Sequence, residues 1–332
     1  MMSLKPPTVI AAGYERQFKP WQVKIKQPST ILLGNSRNLY SSDTTIIGGA
    51  DSYNFAVAGI GMNELLEQFK HLLYVNHPKN VFLAVDYVCS NSPAQTYIHF
   101  YHSPIQEFKA QLYRLKYLIS TKTLVNSVKV LRENVSFFSP SGQRETFLFN
   151  SVNGYSLQQR VENREASRSS GGKQKNPVCN TSSLKSLLTL AHQSEINLVL
   201  FTNPVHARYL TLDTELSLPG FGLLSNKKRT VEINLLVAEE LNKQPFPFID
   251  FMLINELTTE SLDFTAAHEP IYWWESSHYK TILGDQVMNW LSNYPQHQQS
   301  NIGFPITASN VTQHLQQQTI QLEASNKAAL HE

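Results

Sequence analysis

The sequence predicts an α/β fold: a three-layer α/β/α sandwich on a doubly wound, parallel, five-stranded sheet. Three observations predict it. Val81-Phe82-Leu83-Ala84-Val85 is a continuous apolar run, as expected of a parallel strand buried on both faces. A shorter strand and an amphipathic helix precede it at the spacing of a βαβ unit, whose crossover is right-handed. After a long interruption the alternation of helix and strand resumes between residues 183 and 251.

The elements follow in order. Residues 1–28 are largely polar, carry Pro6, Pro7, Pro20 and Pro28, and read as an irregular lead-in. Thr30–Leu33 is the first strand. Tyr53-Asn54-Phe55-Ala56-Val57 is the second, ending at Ala58-Gly59-Ile60-Gly61. Asn63 is placed to cap the next helix, with Leu65, Leu66, Phe69, Leu72 and Leu73 at helical spacing. Residues 91–182 are an insertion. Within it, 104–133 are helical by pattern, with Phe108, Leu112, Leu115, Leu118 and Ile119 on one face, and 137–149 look extended. Residues 161–183 are rich in Ser, Gly, Arg and Lys, lack an apolar period, and read as a solvated loop. Arg160, Arg164, Arg168, Lys173 and Lys175 read first as solvated charges and second as contacts for an anion.

Residues 183–192 form a helix capped by Ser182 or Ser183. The fourth strand, Ile196-Asn197-Leu198-Val199-Leu200-Phe201, leads into Thr202-Asn203-Pro204-Val205-His206. A helix over 226–242 precedes a short fifth strand, Phe248-Ile249-Asp250-Phe251. A helix over 279–291 turns Ile282, Leu283, Val287, Met288 and Leu291 inward. The organisation is one domain over 29–292 and a polar tail over 293–332, where Ser309 is placed to cap a last helix at 310–330.

Bulk properties narrow the function classes. Of 332 residues, 41% are hydrophobic and 16% charged, a globular composition. A net charge of +2 gives no electrostatic case for nucleic acid or an anionic membrane as partner. The run Val9-Ile10-Ala11-Ala12 is shorter than a signal-peptide core, and no run approaches the ~18 apolar residues that span a bilayer. The expectation is a soluble, unexported, cytoplasmic chain without stable membrane insertion. Cys89 and Cys179 have no metal-ligand spacing and suggest no disulfide framework; Cys89 reads as a small buried residue.

Ligands of such sheets bind beyond the carboxyl ends of the strands. Those ends present Ser36, Gly59, Asp86, Asn203, His206 and Asp250, joined by the 273–278 loop. A hydroxyl becomes a nucleophile when a neutral imidazole takes its proton, and a carboxylate on the far ring nitrogen fixes the tautomer. Ser36, His278 and Glu275 fit these roles. The Ser36 N–H and that of Gly59 or Ile60 are oxyanion donors, aided by the dipole of the helix expected after Ser36. Asn203 or Asn63 would add a side-chain amide. His206, backed by Asp250 or Asp86, is an alternative base. Taken singly, each residue has a plainer role: Ser36 a helix cap, Glu275 a surface acid, Trp273 and Trp274 packing. Their joint occurrence at strand ends carries the reading. The residue two after Ser36 is Asn38, so there is no Gly-x-Ser-x-Gly elbow. No metal site and no cofactor are expected.

Three blocks resemble those of the SGNH (GDSL-like) hydrolase superfamily. Residues 31–37, ending Gly34-Asn35-Ser36-Arg37, resemble the first block, Asn54-Phe55-Ala56-Val57-Ala58-Gly59 the second, and Glu275-Ser276-Ser277-His278 the last. Asn203-Pro204-Val205-His206-Ala207, Thr258-Thr259-Glu260 and Trp274 to Tyr279 are similar to a group of bacterial SGNH-like proteins without assigned substrates. The resemblance implies a flavodoxin-like sheet of the SGNH type, Ser36 as nucleophile, an acid three residues before the catalytic histidine, and an oxyanion N–H from Gly59. It implies a serine ester hydrolase or O-acyl(acetyl)transferase acting on a small-molecule or carbohydrate ester. Some relatives act on envelope polysaccharides, which implies association with the cell envelope. Gly59, Asn63, Asn203, His206 and Arg37 are the candidate oxyanion and substrate contacts. Asn35 and Glu275 stand where the family has aspartates, and the third block's asparagine has no counterpart at Asp86-Tyr87. That gap favours the alternative, a catalytically inactive binding or scaffold protein on the same fold.

Overall fold

Five parallel strands, in the positions expected from sequence, make the core of the sheet in the computed structural model, which describes residues 15–90, 99–118, 138–144, 155–170, 178–217, 222–266, 268–296 and 301–329. The run at Val9, residues 119–133 of the expected helix, residues 137 and 145–149 of the stretch read as extended, and Lys173 and Lys175 lie outside the described residues. The elements are α1 (Glu15–Lys26), β1 (Thr30–Leu33), α2 (Ser36–Ser41), α3 (Thr45–Gly48), β2 (Ser52–Asn54), α4 (Met62–Val75), β3 (Asn80–Ala84), β4 (Cys89–Ser90) and α5 (Pro104–Leu118). Then come α6 (Leu157–Ser170), β5 (Val178–Cys179), α7 (Thr181–Gln193), β6 (Asn197–Thr202), α8 (Ala207–Leu216) and α9 (Leu223–Glu240). The chain closes with β7 (Phe248–Asp250), α10 (Thr281–Ser292), β8 (Phe304–Ile306) and α11 (Val311–Ala329).

The sheet order is β2-β1-β3-β6-β7-β8. The first five strands are parallel and β8 is antiparallel to β7. The sheet is therefore six-stranded and mixed, not five-stranded and wholly parallel. The extra strand is three residues long and contains Pro305, which an edge strand tolerates because it need not donate on its open side. The strand order reverses between β1 and β3, and this switch point opens a crevice at the carboxyl ends.

Side chains alternate across the strands. Ile31, Leu33, Val81, Leu83, Leu198 and Leu200 face one layer, where they pack with Phe69 of α4, Leu187 of α7 and Val237 of α9. Leu32, Ala84, Phe201 and Ile249 face the other, against Val287, Met288 and Leu291 of α10. Helices thus cover both faces.

Three further expectations need correction. Residues 15–26 are a helix, not an irregular lead-in. Lys19 of α1 is fully buried and donates to the carbonyls of Asn54 and Ala56 at 2.7 and 2.8 Å. It satisfies acceptors at the open edge of β2, and burial pushes its ammonium down to about 7. Asn63 is not the cap of α4: the helix begins at Met62 with Gly61 as N-cap. The tail carries the helix expected over 310–330, as α11, and its His314 and Gln318 close on the buried Lys227–Asp250 pair.

The third correction of this group concerns the supposed loop at 161–183, whose first part is the helix α6. Its period was hidden because the repeating residue is arginine. Arg160, Arg164 and Arg168 are four apart, which stacks them on one helix face. Arg160 pairs with Glu269, Arg168 with Asp213, and Arg164 reaches Ser277 Oγ at 3.0 Å. In α5 the helical pattern holds but its apolar face does not bury: Ile105, Phe108, Leu112 and Leu115 are all exposed.

The foot of the insertion is tied by β4 and β5, which pair antiparallel with Cys89 opposite Cys179. Cys179 is disulfide-bonded, and Cys89 is the one other cysteine in the chain. The sequence, in which no disulfide framework is suggested, does not reveal this bond. The two residues are far apart in sequence, so only the ladder brings them opposite. Among the described residues, no helix is long and apolar enough to cross a membrane.

Candidate active site

The nucleophile candidate is set by a tight turn after β1. A side chain at Gly34 would put its Cβ 2.2 Å from Asn38 Oδ1, so only glycine lets the strand close directly onto a helix. Asn35 caps that helix, α2, by accepting from the Arg37 N–H at 2.9 Å. Ser36 is then the first helical residue, at the carboxyl end of β1. Its N–H lies in the first turn, where no intrahelical acceptor exists.

The candidate base and acid, His278 and Glu275, sit on a short loop anchored at both ends. Trp273 and Tyr279 form an antiparallel bridge, the Trp274 N–H donates to His278 O at 3.0 Å, and buried Trp273 donates through Nε1 to Leu257 O. The Glu260 carboxylate receives the N–H groups of Ile271 and Tyr272. Two sets of contacts dock the loop on α2. Arg37 Nε and Nη2 donate to Ser277 O and Oγ at 3.0 and 3.1 Å, and Ser41 Oγ donates to Tyr279 O. Behind them, α10 approaches α2 so closely that a Cβ on Gly284 would lie 1.7 Å from Ser41 O.

These elements bring Ser36, His278 and Glu275 together. Ser36 Oγ is 2.8 Å from His278 Nε2, and His278 Nδ1 bonds Glu275 Oε1. The other carboxylate oxygen accepts the Ser277 N–H at 2.7 Å. The longer glutamate arm therefore reaches the imidazole while its backbone stays in the loop. With Nδ1–H donated to Glu275, Nε2 is the acceptor for the serine hydroxyl. Burial lowers the His278 pKa below its ordinary value, and Glu275 only partly restores it. Burial alone would raise Glu275, but His278, Arg164 and the Ser277 N–H hold it below the usual carboxylate range.

Under the turn lies a buried polar frame centred on Asp86, just past the end of β3. Asp86 Oδ2 accepts from Asn35 Nδ2, Arg37 Nη1 and Asn203 Nδ2 at 2.7 to 2.9 Å. Oδ1 accepts the Asn203 N–H at 2.7 Å. Asn203 is not placed to receive an oxyanion: its amide donates to Asn38 Oδ1 and Asp86 Oδ2 and accepts from Tyr279 Oη and Asn38 Nδ2. Arg37 is likewise committed, through Asp86 and Ser277, and acts on the loop rather than on a ligand.

His206 caps α8, with Nδ1 accepting from the Arg208 N–H and Nε2 donating to Glu260 O at 2.8 Å. Both nitrogens are spent, and Asp250 is held by Lys227 and His314, so the alternative base is not assembled. The Asn63 side chain accepts from Ser183 Oγ at 2.7 Å, joining α4 to α7. Gly59 follows β2 at the same end of the sheet. It is exposed, with φ +65°, a left-handed conformation that favours glycine. The Val57 N–H donates to Gly34 O, which carries the chain past the sheet edge alongside residues 34–36.

A cavity of about 280 Å³ opens beside the triad, lined by Tyr155, Arg160, Asn163 and Arg164 on one side and Glu275 and His278 on the other. Of the α6 residues here, Arg160 and Arg164 are among those read second as contacts for an anion, whereas Asn163 went unnamed in the sequence. Their four-residue arginine spacing was the one available signal. No protein-family model and no curated protein matches the chain.

Proposed function

We propose that this protein is an SGNH-like serine esterase or O-acyltransferase acting on an O-acylated small molecule or carbohydrate. The carrying observation is the continuous relay Ser36 Oγ, His278, Glu275, whose first link spans 242 residues of sequence at 2.8 Å. A plain helix-capping serine would not need a buried histidine with a buried carboxylate behind it. The strand order, with its switch point beside Ser36, is that of flavodoxin-like sheets.

In this reading Ser36 Oγ attacks the acyl carbonyl as His278 Nε2 takes its proton. Glu275 stabilises the imidazolium. The N–H groups of Ser36 and Gly59 receive the oxyanion, and removing one such donor typically costs about 3 kcal/mol of barrier. His278 then returns the proton to the leaving alkoxide. The acyl-serine is cleared by water in an esterase, or by an acceptor hydroxyl in a transferase, with His278 as base again. The spent Asn203 leaves backbone donors to do the work of the missing amide, which is the point favouring a non-catalytic binding protein. The hydrogen-bonded triad favours catalysis. Labelling with a fluorophosphonate probe decides between them: the wild type should label and Ser36→Ala should not. Equal labelling of the two would sink the assignment.

The pH dependence has a defined sign. The base must be neutral, and burial lowers the His278 pKa from 6.5. Activity is therefore retained above the lowered value and lost as pH falls through it. The acidic limb of kcat/KM, which reports the free enzyme, should lie below the ordinary imidazole range. A limb near pH 7 or above would contradict the burial argument.

A disulfide-bonded Cys179 favours an oxidising compartment over the cytoplasm expected from sequence, in keeping with the envelope context that the family resemblance implies. Thiol titration of the denatured, unreduced protein should find no free thiol, and reduction should release two from the two cysteines. Two thiols before reduction would return the protein to a reducing compartment.

A further inference from the structure

The arginine face of α6 has a gap in its charge pairing. Arg160, one turn before Arg164, holds Glu269. Arg168, one turn after, holds Asp213 through Nε and Nη2. Arg164 holds no carboxylate among the described residues. Its Nη2 donates to Ser277 Oγ at 3.0 Å and lies 3.5 Å from Tyr209 Oη, and its guanidinium rests over the Tyr209 ring. Its Nε is buried without a partner. Glu275 lines the same cavity, but its two oxygens are taken by His278 and the Ser277 N–H. A guanidinium N–H kept from water and left without an acceptor is costly, and Arg164 lines the same cavity as His278.

We propose that the cavity binds an ester whose alcohol or acyl part carries a carboxylate or phosphate, and that Arg164 is the specificity residue that recognises this charge. The inference rests on the acyl-transfer reading above and names its substrate class. Arginine suits the task because its planar fork matches either anion in a two-point contact. Ser277 holds one Nη nitrogen and the Tyr209 face supports the plane, so the fork is already oriented when the ligand arrives. Ser277 precedes His278, which places the charged group next to the scissile bond. The direction of the Glu275 shift, to which Arg164 contributes, agrees with a guanidinium field reaching the triad.

The test uses the full-length protein with O-acetylated methyl glucoside, O-acetylated methyl glucuronide and O-acetylated glucose 6-phosphate. The wild type should favour at least one charged ester over the neutral one by about tenfold or more in kcat/KM, the scale of one charge-assisted contact. The charged arms separate carboxylate from phosphate. Arg164→Gln should bring the charged-to-neutral ratio close to one, and Arg164→Lys, which keeps the charge without the fork, should retain part of it. In parallel, calorimetry on Ser36→Ala measures binding of methyl glucuronide, glucose 6-phosphate and methyl glucoside. No turnover of any ester and no probe labelling of Ser36 would refute the acyl-transfer reading, while the calorimetric preference still tests Arg164. No preference for charge in the wild type, or a preference that survives Arg164→Gln in a folded protein, overturns the proposal.

Discussion

Ser36→Ala should lower turnover of an acetyl ester at least about a thousandfold while leaving the fold intact. The side chain contributes one hydroxyl, bonded to His278 Nε2, and the Asn35 cap that starts α2 does not depend on it. Loss of the hydroxyl therefore removes the proposed nucleophile without removing a support. His278→Ala should cost a similar factor, and the double variant should be hardly worse than either single one, because the two residues act as one unit. Turnover by purified variants with matched thermal unfolding checks this. Independent, multiplying losses would mean that the 2.8 Å contact is not the reacting pair.

Asp86→Ala should destabilise the protein by about 3–5 kcal/mol, the cost of leaving one member of a buried ion pair behind. Arg37 is 2% exposed and Asp86 equally so. Asp86 also accepts three further hydrogen bonds, from Asn35 Nδ2 and from the Asn203 N–H and Nδ2. Chemical denaturation measures the loss. Asp86→Asn should also destabilise, since one amide oxygen cannot replace two carboxylate oxygens facing four donors. The double variant Arg37→Met with Asp86→Leu separates stability from function. Removing both charges should recover much of the stability, but activity should stay low because Arg37 no longer holds Ser277 O and Oγ beside the nucleophile turn. Full activity in the double variant would show that the frame does not position the loop.

Much of the candidate site was legible because its signals are local. A strand stopping on Gly34, a cap at Asn35 and a serine at Ser36 are adjacent letters. Glu275 and His278 are three apart, within reach of one turn. The apolar runs of β1, β3 and β6 identify themselves because burial on both faces demands uninterrupted hydrophobicity. The failures share a different cause. The helix α1 carries Pro20, and its anchoring residue is a lysine seated on the carbonyls of Asn54 and Ala56. In α6, arginines at every fourth position took the place expected of apolar residues, and each has its partner on a distant segment. Asn203 and His206 look like catalytic polar groups in sequence, yet their hydrogen-bonding capacity is consumed by Asn38, Asp86, Tyr279, Arg208 and Glu260.

The sequence by itself determined the α/β class, the strands at the centre of the sheet, and the three residues that meet at Ser36, because hydrophobic period and short-range turn chemistry are written along the chain. Only the tertiary structure decided which polar residues remain free to act. That depends on whether a donor or acceptor finds a partner far away in sequence. Such a partner spends Asn203 and His206 and joins β4 to β5 at Cys179, while Arg164, which lines the cavity, has no carboxylate partner among the described residues.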